Sequence, residues 1–90
     1  MASNFSFFIN ETSYSLHIKL YGDFDGDSAC QLINTIKDKW KEFLNVFIDT
    51  HDLDKVYPFG LSVFEKKVKT IFRNQNTLIF IGKHKGSFLN

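Results

Sequence analysis

The sequence predicts an α/β domain of ββαβαβ order, a mixed, mostly parallel four-stranded sheet with helices on one face. Three observations predict it. Residues 14–20 alternate apolar with polar; two later segments repeat apolar residues every three or four positions; and a short continuous apolar run follows each of those segments.

Phe5 to Ile9 is the first strand, and Asn10-Glu11-Thr12-Ser13 is a polar stretch of turn formers. Tyr14, Leu16, Ile18 and Leu20 then alternate with Ser15, His17 and Lys19, which marks a strand with one buried face. Two strands joined by so short a polar link form a hairpin. Residues Gly22 to Ser28 break the second strand and supply several oxygens able to cap a helix. Ala29, Leu32, Ile33, Ile36, Trp40, Phe43 and Leu44 then recur at helical spacing, with Asp38, Lys39, Lys41 and Glu42 on the wet side. That helix ends near Phe43, and Val46-Phe47-Ile48 reads as a strand buried on both faces of a parallel sheet.

Asp49 to Tyr57 reads as a loop, and Pro58 sits at a helix start, where its missing N–H is harmless. Leu61, Phe64, Val68, Ile71 and Phe72 define the second amphipathic helix, with Lys66, Lys67, Lys69 and Arg73 toward its C-terminal half, which the helix dipole favours. Asn74-Gln75-Asn76 ends it, and Thr77 to Ile81 is a second doubly buried strand stopped by Gly82. Two long helices leave no third element for the other side of the sheet. That opposite face is thinly covered, or covered by a partner.

Composition narrows function. Ninety residues with 43% hydrophobic and 23% charged content form one domain, 1–90, rather than a disordered chain. Eleven Lys and Arg against ten Asp and Glu leave a formal charge of +1, without the basic excess of a nucleic-acid binder. Cys30 is the single cysteine, so it makes no internal disulfide and no cysteine-based zinc site. The start of the chain lacks signal-peptide character, and no apolar run approaches the about twenty residues that insert into a bilayer. The chain reads as a soluble cytoplasmic domain with no direct membrane insertion.

In an open sheet, ligands and partners meet the C-terminal ends of the parallel strands. Six of the ten acids fall there: Asp23, Asp25, Asp27, Asp49, Asp52 and Asp54. Carboxylates beside helix N-termini are explained by capping. The run from Asp23 to Asp27 fails as a calcium loop, because Ser28 and Asn34 stand where a Gly and an acid are needed. Asp49, His51, Asp52 and Asp54 have the chemistry to hold a hard metal but no feature that fixes their directions. There is no Gly-rich phosphate cradle. Cys30, His17 and His51 form no evident nucleophile–base set. No cofactor and no catalytic residue is expected.

Several local motifs resemble the STAS domain, found in bacterial anti-sigma-factor antagonists, stressosome subunits, sulfate transporters and small subunits of lipid-transport systems. Leu20-Tyr21-Gly22-Asp23-Phe24-Asp25 is similar to that family's strand-end motif, with Ala29 and Leu32 following at its helical spacing. Val46-Phe47-Ile48-Asp49 resembles its buried strand ending in Asp, and Leu78 to Gly82 its later strand. Leu53 to Leu61 resembles its loop and helix start, where an Asp and two Ser or Thr precede a Gly. In signalling members, the Ser or Thr just before that Gly is phosphorylated by a partner kinase, which redirects docking. Phe59 stands at the matching position, with Tyr57 and Pro58 before it. Phenylalanine has no oxygen to accept a phosphoryl group, so the resemblance implies no such switch at Phe59. Ser62 reads either as a substitute phosphoacceptor or as an ordinary solvent-facing serine. Tyr57 and Phe59 read either as interface anchors or as rings packed under the loop. Family members also continue with a further helix, whereas Lys83 to Asn90 is short.

The resemblance implies a non-catalytic, protein-binding regulatory module whose contact residues are Asp54, Tyr57, Pro58, Phe59, Gly60 and Ser62. Its implied partner is another protein, either an anti-sigma or kinase-like regulator or a transporter component, with a homo-oligomer open as well. Two rivals stand: a binding domain for a nucleotide or other small effector at the strand ends, and a metal-dependent enzyme using Asp49, His51, Asp52 and Asp54.

Overall fold

The computed structural model describes residues 4–71 and 77–88. The chain forms strands β1 (Ser6–Glu11) and β2 (Ser15–Phe24), helix α1 (Gly26–Lys39), strand β3 (Asn45–Val56), helix α2 (Pro58–Ile71), strand β4 (Thr77–Ile81) and a short helix α3 (Lys85–Phe88). The four strands lie in chain order across one sheet. β1 and β2 are antiparallel, while β2 pairs with β3 and β3 with β4 in parallel. This is the expected order and sheet. Phe72, Arg73 and the stop at 74–76 lie outside the described residues.

The period of two in β2 places Leu16, Ile18 and Leu20 in the core, opposite Val46 and Ile48 of β3. Ala29, Leu32, Ile33 and Ile36 of α1 and Phe64 and Ile71 of α2 close over that face. α1 gives way at Trp40 to a 3-10 turn ending at Glu42, after which Phe43 is extended and still buried, whereas Leu44 points to solvent.

Three local expectations are corrected. Asp49 to Val56 is not a loop but the second half of β3, paired with β2 up to Phe24. The pairing steps from Lys19–Asp49 to Tyr21–Asp52, and from Gly22–Leu53 to Asp23–Lys55, so β3 spends an extra residue at each step. Such bulges break the period of two that marks a strand, and they twist it locally. Gly22 likewise does not end β2; it passes through it with φ at 87°, where a side chain would also collide with the Asn4 carbonyl. Finally, β3 and β4 are not buried on both faces. Phe47 and Ile79 are half-buried on the side away from the helices, because no described element covers that side.

The short C-terminal segment does more than its length suggests. Phe88 of α3 reaches into a ring cluster, 5.0 Å from Phe24, 5.2 Å from Phe80 and 6.0 Å from Phe64 between centroids. Such stacked and edge-on pairs are favourable beyond their burial. The turn before α3 is tied down by His84, whose backbone N–H donates to the fully buried Thr50 hydroxyl at 3.1 Å. The Thr50 hydroxyl donates in turn to the Ile81 carbonyl at 2.8 Å.

Candidate functional site at the entrance of α2

The C-terminal ends of β2 and β3 deliver two helix starts side by side. Asp25 is the N-cap of α1: its carboxylate accepts the Ser28 backbone N–H at 3.0 Å, and the Ser28 hydroxyl lies 2.9 Å from both that carboxylate and the Asp23 carbonyl. The capping hydrogen bond from the Ser28 N–H holds the Asp25 carboxyl below its ordinary range. Beside it, the Tyr57 N–H donates to the Phe24 carbonyl at 2.9 Å, and the Tyr57 carbonyl accepts the first helical bond of α2 from Leu61 at 3.1 Å. Pro58 opens α2, where its fixed φ is already helical.

The two starts touch backbone to backbone. Gly60 is buried, and a methyl there would lie 2.8 Å from the Asp25 carbonyl carbon and oxygen. A methyl at Gly26 would meet the Phe59 ring at 2.8 Å. The Phe59 ring thus lies across the first residue of α1 and is still 71% exposed. Tyr57 is 41% exposed, and Pro58 and Ser62 are exposed too. Tyr57, Pro58, Phe59 and Ser62 are thus all exposed at the start of α2, with Phe59 over Gly26 of α1 and Pro58 and Ser62 on the flank of α2 that faces Leu78, Phe80 and Phe88; Gly60 lies beneath as the packing point. Asp54 is apart from them: it is the extra residue of the second bulge in β3 and points to solvent.

The proposed metal group does not assemble. Asp49 accepts the His51 backbone N–H at 3.0 Å and Asp52 pairs with Lys19 at 3.2 Å, and among the described residues no three potential ligands come together. Cys30 is exposed on α1, while His17 stacks on Phe47 at 4.6 Å on the far side of the sheet. The sheet itself separates that thiol from that imidazole.

One feature was invisible in the sequence. A groove of about 440 Å³ runs along the outer flank of α2, walled by Leu61, Phe64, Val68, Leu78, Phe80 and Phe88. The sequence pattern assigns Leu61, Phe64 and Val68 to a buried helix stripe and Leu78 and Phe80 to a buried strand. Phe64 is buried at the base of the groove, while Leu61, Val68, Leu78, Phe80 and Phe88 are half-buried along it.

No family model and no curated protein matches the sequence. Solved structures do match the fold. An antisigma-factor antagonist STAS domain from Rhodobacter sphaeroides superposes with a TM-score of 0.71 at 11% identity, covering 94% of this chain and 94% of that one. The chain has the STAS fold. The anti-sigma factor antagonist SpoIIAA in its unphosphorylated form matches this STAS fold with a TM-score of 0.69 at 12% identity, covering 93% of this chain and 81% of that one. A structure described as Mglu matches at 0.75 and 12% identity over 84% of this chain, which spans only 19% of the Mglu chain. The chain thus spans most of two of these structures and only a small part of the third. No described helix is long and apolar enough to cross a membrane.

The Asp25 cap makes a pH prediction. A carboxyl with a lowered folded-state pKa contributes stability that is complete above the unfolded value of about 3.9 and is lost as pH falls through the folded value. Asp25→Ala is expected to cost about 1 kcal/mol at neutral pH in urea unfolding. The gap between variant and parent should close as pH drops below the ordinary carboxylate range.

Proposed function

We infer that the chain is a non-catalytic protein-interaction module of STAS type, docking a partner protein through the start of α2. The single observation that carries this reading is Phe59, a ring 71% exposed at a helix entrance whose backbone packs directly on that of Asp25 at Gly60. Ordering such a ring in advance lowers the entropic cost of binding, and large rigid aromatics are the commonest anchors of interfaces. Tyr57 precedes it and is exposed as well, Pro58 and Ser62 are exposed on the neighbouring flank of α2, and Asp54 is an exposed charge of β3. Two of the matching structures are described as anti-sigma factor antagonists, which makes an anti-sigma or kinase-like regulator the leading partner class, ahead of a transporter component. Docking here rests on shape and apolar contact, because Phe59 has no hydroxyl to phosphorylate. Ser62, exposed in the first turn, stays the only nearby hydroxyl of α2 available to a kinase.

The test is affinity capture from the source cell's extract, read by mass spectrometry, with Phe59→Asp against the parent. Loss of a central anchor costs about 2 kcal/mol or more, so specific capture should fall at least about tenfold while the far-UV spectrum is unchanged. Undiminished capture by the variant would contradict the reading.

The groove along α2 favours a second reading, a small-ligand domain. Its volume of about 440 Å³ lies within the range of ligand sites, and its apolar walls suit an apolar effector better than a nucleotide. Such a ligand should raise the melting temperature by mass action, and Phe80→Glu should abolish the rise. A panel of apolar effectors that leaves the melting temperature unmoved removes this reading.

A further inference from the structure

The sheet face away from the helices carries a pattern that no described element covers, although within the chain Lys19 pairs with Asp52 at 3.2 Å and Asp49 accepts the His51 N–H at 3.0 Å. Reading across the four strands by their pairing, one row runs Phe8, Lys19, Asp49, Ile81, and the row beside it runs Asn10, His17, Phe47, Ile79. Phe8 is 64% exposed and Ile81 39% exposed, although both are large and apolar. The first row is apolar, positive, negative, apolar.

That order is self-complementary. If a second copy is laid on the face by a two-fold axis parallel to the strands and passing between β2 and β3, each row meets its own reverse. Lys19 then faces Asp49 of the other copy, Phe8 faces Ile81, and His17 faces Phe47. In a two-fold contact every pairing is reciprocal: the residue that i meets on the second copy meets i in return. The surface is also shaped for it. A shallow groove of about 160 Å³ opens on this face among Phe8, His17, Lys19, Phe47, Asp49 and Ile81. A cavity of about 150 Å³ accepts a benzene ring, so the groove has the size of a phenyl side chain. The ring that the geometry brings toward its Ile81 side is Phe8 of the second copy.

We propose that this uncovered sheet face is a homodimer interface, in which Phe8 and the Lys19–Asp49 pair of two chains interlock about that axis. Strands about 4.8 Å apart and about 3.3 Å per residue make the face roughly 15–20 Å on a side, about 450–800 Å² over two copies, which is smaller than a standard specific interface, so the dimer is a weak and reversible one. The face lies on the opposite side of the sheet from α2. A dimer formed this way leaves Phe59 free, and its failure would not touch the docking reading above.

Sedimentation of the full chain between about 10 µM and 1 mM tests it, since a reversible dimer gains mass with concentration. The parent should approach twice the monomer mass at the upper end, and Phe8→Glu should weaken association at least about tenfold. Lys19→Asp and Asp49→Lys should each be monomeric alone, because each brings like charges together across the axis. Mixed in equal amounts they should dimerise, since the carboxylates of the first variant then meet the ammonium groups of the second at both crossings of the axis. No folding defect can imitate that rescue. A parent that stays monomeric at about 1 mM overturns the proposal and leaves the face to a different protein. A dimer that survives Phe8→Glu, or a mixture no heavier than its components, overturns it as well.

Discussion

The architecture depends on one close approach, that of the first turn of α2 onto the N-cap of α1. Parallel strands β2 and β3 end next to each other, so the helices that follow them must start next to each other too. Helix axes normally sit about 8–10 Å apart because side chains separate them. At Gly60 no side chain intervenes, and the backbone of α2 rests on the backbone of Asp25. Asp25 in turn spends its carboxylate on Ser28, which leaves its main chain flat against the neighbour. Two features of the candidate site follow from that contact: the angle at which Pro58 enters and the ring of Phe59 thrown across Gly26.

Much of this was legible in the residues, and the exceptions have physical causes. The spacing of Leu32, Ile33 and Ile36 describes a helix and nothing else, and the alternation through Leu16, Ile18 and Leu20 describes a half-buried strand. Residues 49–56 escaped because two bulges shift Asp52 and Asp54 out of the period that runs up to Asp49, and three acids among eight residues imitate a loop. Val46 to Ile48 looked doubly buried because Phe47 is apolar, yet Phe47 faces the open side and stacks on His17 instead of on a helix. The exposed surface around Phe59 rests on a residue with no side chain. That Gly60 touches Asp25, thirty-five positions earlier, is a tertiary fact with no local signature.

The two sides of the sheet divide the chemistry. The helical side holds an aromatic cluster, Phe24, Phe64, Phe80 and Phe88, that lets a one-turn α3 anchor the end of the described chain. The same cluster ends in an open groove instead of a closed core. No described element covers the other side, which carries an ion pair among its rings, Lys19 with Asp52 at 3.2 Å, and His17 stacked on Phe47. Mixed surfaces of that kind remain wettable while still offering apolar contact. A small domain with two different usable faces can hold one partner without giving up the other.

The stability of Gly60→Ala, compared by urea unfolding with Gly86→Ala in open space on α3, tests the central contact most directly. Helix propensity alone would make the Gly60 variant more stable by about 1 kcal/mol. A methyl 2.8 Å from the Asp25 backbone must instead push the two helix starts apart, and the account predicts a loss of about 1–3 kcal/mol at Gly60 with no loss at Gly86. A Gly60→Ala protein as stable as its parent, or more so, would contradict it.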